Sequence, residues 1–322
     1  MNKIQTASDL KNIKETIIKN TRKGKTIVTL CGGTGCHASG CSNVISAFKR
    51  ELKKNKLQDT VDIKVTGCHG FCEKGPIVVL HPKGIFYKQV KPKDVKEIVE
   101  QTLLKGKIVD RLLYIDPLTG KKITLEKDVQ FYKGQKRIVF ADNGLLDPFK
   151  IEDYITIGGY SAAVKALTSM SPENIIDEIK KSGLRGRGGA GFPTGVKWES
   201  CRKAKGTKKY IICNADEGDP GAYMDRSLIE GNPFSILEGM LIGAFSIGAN
   251  QGIIYVRDEY PIAVQTMKNA IILARHWGLL GKNIFNSGFN FDLSIVRGAG
   301  AFVCGEETAL IASVEGKKGE PR

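Results

Sequence analysis

The sequence has no apolar run long enough to span a bilayer. Its longest, residues 234–249, is interrupted by Glu238 and by several Gly and Ser, whereas a spanning helix needs about 20 apolar residues. Residues 1–25 are polar and contain no apolar segment of the kind an export leader needs. These absences set the expectation of a soluble, cytoplasmic chain with no direct membrane insertion. Acidic side chains are scarce: 34 Asp and Glu stand against 49 Lys and Arg, a formal net charge of +15. Residues 1–100 alone hold 19 Lys/Arg and 9 Asp/Glu. Those lysines are spread along predicted helices and strands without interleaved aromatics. The charge therefore reads as a solvated surface, and no nucleic acid is expected as a partner. No internal repeat and no low-complexity tract occurs, which excludes solenoids and disordered arrays.

What is present points elsewhere. The chain has 322 residues, 41% of them hydrophobic, enough for about two domains with real cores. Of its eight Cys, four fall in two close pairs in the first quarter. In a long chain expected to be cytoplasmic, paired cysteines mean metal or redox chemistry more often than structural disulfides.

Residues 7–22 have helical periodicity, with Leu10, Ile13, Ile17 and Ile18 on one face. A β-branched strand is expected over 25–30, a helix over 42–54 with Ser42 as N-cap, and a strand over 61–65. A hairpin over 77–81 and 85–88 turns at Pro82-Lys83-Gly84, and a helix over 90–104 closes the set. The order αβαββα makes an α/β unit of residues 1–105. Residues 106–160 are rich in Lys, Gly, Asp and Pro and read as a linker. From 161 to 322 helices and strands alternate, with strands over 210–213, 252–256 and 291–297, a turn over 298–300 and helices between. That pattern predicts a parallel, layered α/β sheet.

Cys31-Gly-Gly-Thr-Gly-Cys36 follows the first predicted strand at once, and Cys68-His-Gly-Phe-Cys72 follows the second by two residues. If those strands are parallel neighbours, both loops leave the same sheet edge and four thiolates meet. Cys31, Cys36, Cys68 and Cys72 suit a [2Fe-2S] cluster, and the glycines let backbone N–H groups approach its sulfides. Zinc sites more often use C-x2-C pairs, and zinc is the alternative ligand. A thioredoxin-type dithiol would need a C-x-x-C, which neither pair has. Cys41 nearby reads as an extra thiol.

Three further segments are rich in glycine and charge. Gly183-Leu-Arg-Gly-Arg-Gly-Gly-Ala-Gly-Phe-Pro-Thr-Gly-Val-Lys-Trp198 contains a bare G-x-G-x-x-G, but it follows a helix and so fails the Rossmann context. Physically it is a loop of exposed N–H donors at a helix start, flanked by Arg185, Arg187 and Lys197, which favours a phosphate or an anionic ring. Cys213-Asn-Ala-Asp-Glu-Gly-Asp-Pro-Gly221 follows a predicted strand, where α/β sheets bind ligands. Gly298-Ala-Gly-Ala-Phe-Val-Cys-Gly-Glu-Glu-Thr308 also follows a strand and opens a helix, with Glu306 and Glu307 on its first turn.

Residues 25–80, with both cysteine pairs and Gly75-Pro76-Ile77-Val78, resemble the thioredoxin-like [2Fe-2S] ferredoxin domain. Residues from about 158 to 322 resemble the FMN- and NADH-binding flavoprotein subunit of respiratory complex I, and of soluble NAD(P)-linked hydrogenases and formate dehydrogenases. The implied fold is an N-terminal thioredoxin-like ferredoxin domain followed by a Rossmann-like α/β FMN-binding domain. By position, the resemblance implies FMN contacts at Gly186, Arg187, Gly188, Lys197, Asn214, Asp216, Glu217, Gly305 and Glu307. Phe192, Asp219, Phe302 and Glu306 fall on the NAD(H) or NADP(H) side. Complex I members usually carry Glu in place of Asp219 and Tyr in place of Phe302, which leans toward the soluble branch. Members of the family continue past Gly319-Glu-Pro-Arg322 into a cysteine-rich [4Fe-4S] domain, so the chain is expected to be incomplete at its C-terminus. The resemblance implies an NAD(P)H dehydrogenase subunit with no side-chain nucleophile. Its partners would be other iron–sulfur subunits: a small [2Fe-2S] subunit and a hydrogenase or formate dehydrogenase catalytic subunit. The rival expectations are a non-catalytic [2Fe-2S] carrier or assembly subunit and a basic zinc protein.

Overall fold

The structure is a computed structural model that describes residues 3–20, 24–219, 221–298 and 300–322. Residues 21 and 22 of the first predicted helix, Pro220 and Ala299 lie outside the described residues. Contacts divide the chain at places other than the expected boundaries near 105 and 160. One unit takes in Thr21–Lys150 and the piece Glu230–Asn232. The other takes in Met1–Asn20, Ile151–Ile229 and Pro233–Arg322. The first helix, α1 (Ala7–Asn20), thus clusters with the second unit.

The cysteine-bearing unit runs β1 (Thr26–Cys31), α2 (Thr34–Ala38), α3 (Cys41–Lys54), β2 (Val61–Thr66), β3 (Val78–His81) and β4 (Ile85–Tyr87). A short α4 (Val95–Glu97) follows and continues as a wide π-type turn over Ile98–Leu104. The sheet order is β2-β1-β3-β4. β1 and β2 are parallel, from Thr26 opposite Val61 to Cys31 opposite Thr66, while β3 and β4 are antiparallel additions. α3 buries Val44, Ala47, Phe48 and Leu52 on one stripe, against Val28, Leu30, Val78 and Leu80 of the sheet. Each Val, Leu or Phe among these contributes about 1.5–3 kcal/mol on burial.

The segment expected to be a linker is largely part of this unit. It forms β5 (Tyr114–Ile115), β6 (Lys122–Ile123) and α5 (Gln130–Lys133). Val109, Leu112 and Leu113 are buried in one apolar cluster with β1 and α3, and Tyr114 and Val129 in a second with Cys31, Cys36 and Phe71. Backbone bonds join it to β4 and the residue after it: Phe86 N donates to Thr124 O (2.8 Å) and Lys88 N to Leu112 O (3.0 Å). Its scattered apolar residues carry no periodicity, so composition alone hides them.

The second unit continues with α6 (Ile151–Thr156), α7 (Ser161–Ser169), α8 (Pro172–Lys181) and α9 (Thr194–Lys203). Then come β7 (Tyr210–Ala215), α10 (Met224–Gly231), α11 (Pro233–Ile247), β8 (Gln251–Arg257), α12 (Pro261–His276), β9 (Asp292–Gly298) and α13 (Glu307–Val314). α1 buries Leu10 and packs on α6 and α7. β7, β8 and β9 form a parallel sheet in that order, so the ends of all three lie on one edge. α8 starts at a Ser171 cap that accepts from Asn174 N (3.2 Å), with Pro172 in its first turn. The apolar run of 234–249 is α11, buried on most faces and therefore a core helix. Among the described residues no helix is long and apolar enough to cross a membrane.

Candidate functional site

The parallel pairing of β1 and β2 sends both cysteine loops off the same sheet edge. Cys31 ends β1, Cys36 lies on α2, Cys68 follows β2 and Cys72 opens a single 3-10 turn, Cys72–Lys74. Cys31, Cys36 and Cys68 are buried, and Cys72 is exposed. The Sγ atoms of Cys68 and Cys72 are 3.8 Å apart. The Cys31 thiol lies against those of Cys36 and Cys68. Those contacts and burial hold it well above the usual thiol range. Cys36, which accepts from Cys31, is pulled down. Gly70 N donates to Cys68 Sγ (3.2 Å). Cys41 is fully buried, and burial, with the charge of Cys36, pushes its thiol up to about 11.

Two glycines shape the space around these sulfurs. A Cβ on Gly35 would stand 3.0 Å from Cys72 Sγ, and one on Gly75 only 2.7 Å from Cys36 Sγ. Among the described residues no group of three or more His, Cys, Asp or Glu side chains is gathered as it would be around a metal ion. A two-iron cluster asks for two thiolates at each iron, not four around one point.

In the second unit the glycine loop is a closed hairpin. Gly186 N donates to Phe192 O and Thr194 N to Leu184 O, each at 2.9 Å, with Gly189 and Gly191 at φ of +96° and +61°. Gly186, Arg187 and Gly188 project between those ties and are exposed. α9 begins at Thr194 without a side-chain cap hydrogen bond at Pro193. Lys197, on its first turn, pairs with Glu307 of α13 at 3.1 Å and lies 6.0 Å from the Phe192 ring centroid.

At the strand ends, Asn214 Nδ2 donates to Gly305 O (2.9 Å) while its Oδ1 accepts from Asp216 N (3.1 Å). This joins the β7 and β9 loops. Arg257, the last residue of β8, does the same from between them. It donates to Glu217 O (2.7 Å) and to Gly300 O (3.0 Å). Asp216 is 7% exposed, yet both carboxyl oxygens are buried without a hydrogen-bond partner, and Arg257 Nε stands 3.6 Å away. Burial pushes the Asp216 pKa up. Phe192 and Phe302 are 50% and 71% exposed and Asp219 is exposed.

The comparisons with known proteins divide the chain at the same two sites. Residues 16–103 match the thioredoxin-like [2Fe-2S] ferredoxin family, and residues 179–322 match the Nuo51 FMN-binding domain family. The chain joins a thioredoxin-like [2Fe-2S] ferredoxin domain to a Nuo51 FMN-binding domain. It is 56% identical over 189 residues to the NADP-reducing hydrogenase subunit HndC of Solidesulfovibrio fructosivorans, covering 59% of this chain and 38% of that protein. It is 54% identical over 172 residues to an NADH-quinone oxidoreductase subunit of Aquifex aeolicus, covering 53% of this chain and 40% of that one. The chain thus spans about two fifths of the length of these relatives. The solved thioredoxin-like [2Fe-2S] ferredoxin from Aquifex aeolicus is 38% identical over 27% of this chain and 88% of its own, with a TM-score of 0.26.

The ferredoxin domain has room for its cluster where Gly35 and Gly75 withhold side chains, and four thiols border that room. The FMN-binding domain offers a buried carboxyl with unsatisfied oxygens, Asp216, between two tied loops. Both cofactors fit the residues present. The structure gathers Asn214, Asp216 and Gly305 at the strand ends and links Lys197 to Glu307. Two carboxylates expected to face ligands are already engaged. Glu217 accepts from Met224 N (2.7 Å) and Asp225 N (3.2 Å) at the start of α10. Glu306 accepts from Thr308 Oγ1 (2.7 Å) and, as the cap of α13, from Ala309 N and Thr308 N, both 2.9 Å, and these bonds lower its pKa. Sequence reasoning missed Arg257. The strand-end arginine had a signal in its position, since residues at the carboxyl ends of parallel strands line ligand sites. It also missed Asp225, which burial and the neighbouring Glu217 push up to about 6.

Proposed function

We propose that the chain is the flavin-bearing part of an NAD(P)H dehydrogenase subunit. It exchanges hydride with a nicotinamide and single electrons with iron–sulfur centres of a multisubunit hydrogenase, formate dehydrogenase or complex I-like assembly. The observation that carries this reading is the buried, unsatisfied carboxyl of Asp216, set between tied strand-end loops of a chain that also gathers four thiols. When bound, FMN converts two-electron hydride chemistry into one-electron steps.

The chain's own residues position and stabilise. Gly186, Arg187 and Gly188 present N–H groups and charge to a phosphate ahead of α9. Asn214, Asp216, Glu217, Gly305 and Glu307 border the flavin. Lys197, held over the loop by Glu307, steadies negative charge on the electron-rich flavin. Phe192 and Phe302 offer exposed flat surfaces for the nicotinamide, with Asp219 and Glu306 beside them. Cys31, Cys36, Cys68 and Cys72 hold the cluster. Partners are the other iron–sulfur subunits of such an assembly, and NAD and NADP are both candidates.

Anaerobically purified protein tests this reading through iron, acid-labile sulfide, FMN released on denaturation, and ferricyanide reduction with NADH and with NADPH. The expected result is iron and sulfide in equal amounts, bound flavin, and turnover with at least one nicotinamide. Zinc without sulfide would overturn the cluster assignment. A cluster without flavin or turnover would leave a non-catalytic carrier.

A further inference from the structure

The ferredoxin family match ends at residue 103, but the unit that holds the four cysteines continues to Lys150. This extension reaches the Cys68–Cys72 loop with five side chains. Phe131 stacks on Phe71, with centroids 4.2 Å apart and planes 5° from parallel. Tyr132 Oη is 3.1 Å from His69 Nδ1. Asn143 Nδ2 donates to Cys68 O (3.1 Å), and Arg137 Nη2 donates to His69 O (2.6 Å). The Arg137 guanidinium lies 5.3 Å from the Phe131 ring centroid and 5.0 Å from that of Tyr132. His69 itself is 3% exposed, and Glu126 Oε1, also from the extension, is 3.3 Å from its Nδ1. One fixed cation and one carboxylate are thus brought to the backbone and ring that adjoin a cluster ligand, in surroundings poorer in water than the surface.

We infer that Arg137 and Glu126 are positioning residues of the extension that set the reduction potential of the cluster held by Cys31, Cys36, Cys68 and Cys72. Reduction adds one negative charge to the cluster. A nearby guanidinium stabilises that charge and a nearby carboxylate opposes it, and low local dielectric strengthens both. Arg137 also pulls on the His69 carbonyl, whose peptide carries the Gly70 N–H that donates to Cys68 Sγ, and so polarises that N–H toward the sulfur. Removing Arg137 takes away a fixed positive charge that faces Glu126 and leaves it only the His69 and His81 rings, so both consequences push the potential the same way.

The inference rests on the reading that the four thiolates hold a two-iron cluster, and the test separates the two. Iron, sulfide and the EPR signal of the reduced wild-type protein come first; their absence refutes the cluster reading itself. Given a cluster, EPR-monitored redox titration compares R137Q, R137K and E126Q with the wild type. R137Q is expected to shift the oxidised-to-reduced ratio about tenfold toward oxidised, ~59 mV more negative for one electron. R137K, which keeps the charge, returns toward the wild-type value. E126Q moves the midpoint the opposite way, and it supplies the test should R137Q fail to fold. Unmoved midpoints, or R137Q and E126Q moving in the same direction, would overturn the inference.

Discussion

Glu238 is a polar residue in the middle of the apolar core helix α11, and replacing it should unfold the FMN-binding unit well below its normal temperature. Its Oε2 accepts from Tyr154 Oη (2.6 Å) and Tyr160 N (2.8 Å), and its Oε1 from Ala163 N (2.9 Å). Tyr160 is held at a φ of +64°, the left-handed region that disfavours a side chain by about 1–2 kcal/mol. The bond from its N–H to Glu238 offsets that strain and fixes the start of α7. Glu238→Ala strands three buried donors. Each costs about 1–3 kcal/mol when left unpaired, and partial relaxation brings the total to roughly 3–5 kcal/mol. A unit of this size loses about 2–4 °C of Tm per kcal/mol, so calorimetry should find its transition roughly 6–20 °C lower. Glu238→Gln keeps the volume but turns an amide NH2 toward a donor, and should fall between the wild type and Glu238→Ala. A Glu238→Ala transition within about 2 °C of the wild type would refute this account of the α7 and α11 packing.

Arg257→Gln removes the tie between the Glu217 and Gly300 carbonyls. At about 1.5–3 kcal/mol per charged hydrogen bond, FMN affinity should fall by at least tenfold in a fluorescence titration; an unchanged Kd would sink the assigned role. Lys197→Ala should make the flavin harder to reduce while FMN still binds, and spectroelectrochemistry reads the shift. An unaltered flavin potential would dismiss Lys197 as a stabilising charge. Asp225 titrates near 6 in the folded chain, mainly through burial, against about 3.9 unfolded. The folded state therefore holds that proton more tightly, and stability falls as pH rises from about 4 to 6. The full shift is worth about 3 kcal/mol; water at this half-buried group reduces that to roughly 1–2 kcal/mol. Asp225→Asn should flatten the profile in that window and raise Tm above pH 6, and a pH profile parallel to the wild type's would count against it.

The spacing of the cysteines pointed to a metal or cluster site, and the glycine-rich loops to a bound anion. Cys31, Cys36, Cys68 and Cys72 follow two β-branched strands, and a parallel pair of such strands leaves both loops on one edge, as Cys31 opposite Thr66 demonstrates. The same logic placed the Asn214 and Gly305 loops at one edge of β7, β8 and β9, because alternating strands and helices fold into parallel sheets. Local patterns of this kind are legible since they need only neighbours in the chain. Tertiary contact decided the rest. Residues 106–160 read as a linker because their apolar side chains have no period, and only packing against Phe71 and α3 reveals Val109, Leu112, Leu113, Tyr114 and Val129 as core. α1 has an apolar face that the sequence exposes, but what covers that face is a matter of long-range burial. Nothing in the sequence marks Glu217 and Glu306 as the acceptors for the N–H groups at the starts of α10 and α13, which hold each carboxylate in place. Arg257 and Arg137 bind backbone carbonyls far along the chain, and a carbonyl leaves no mark in the sequence to say which side chain will reach it.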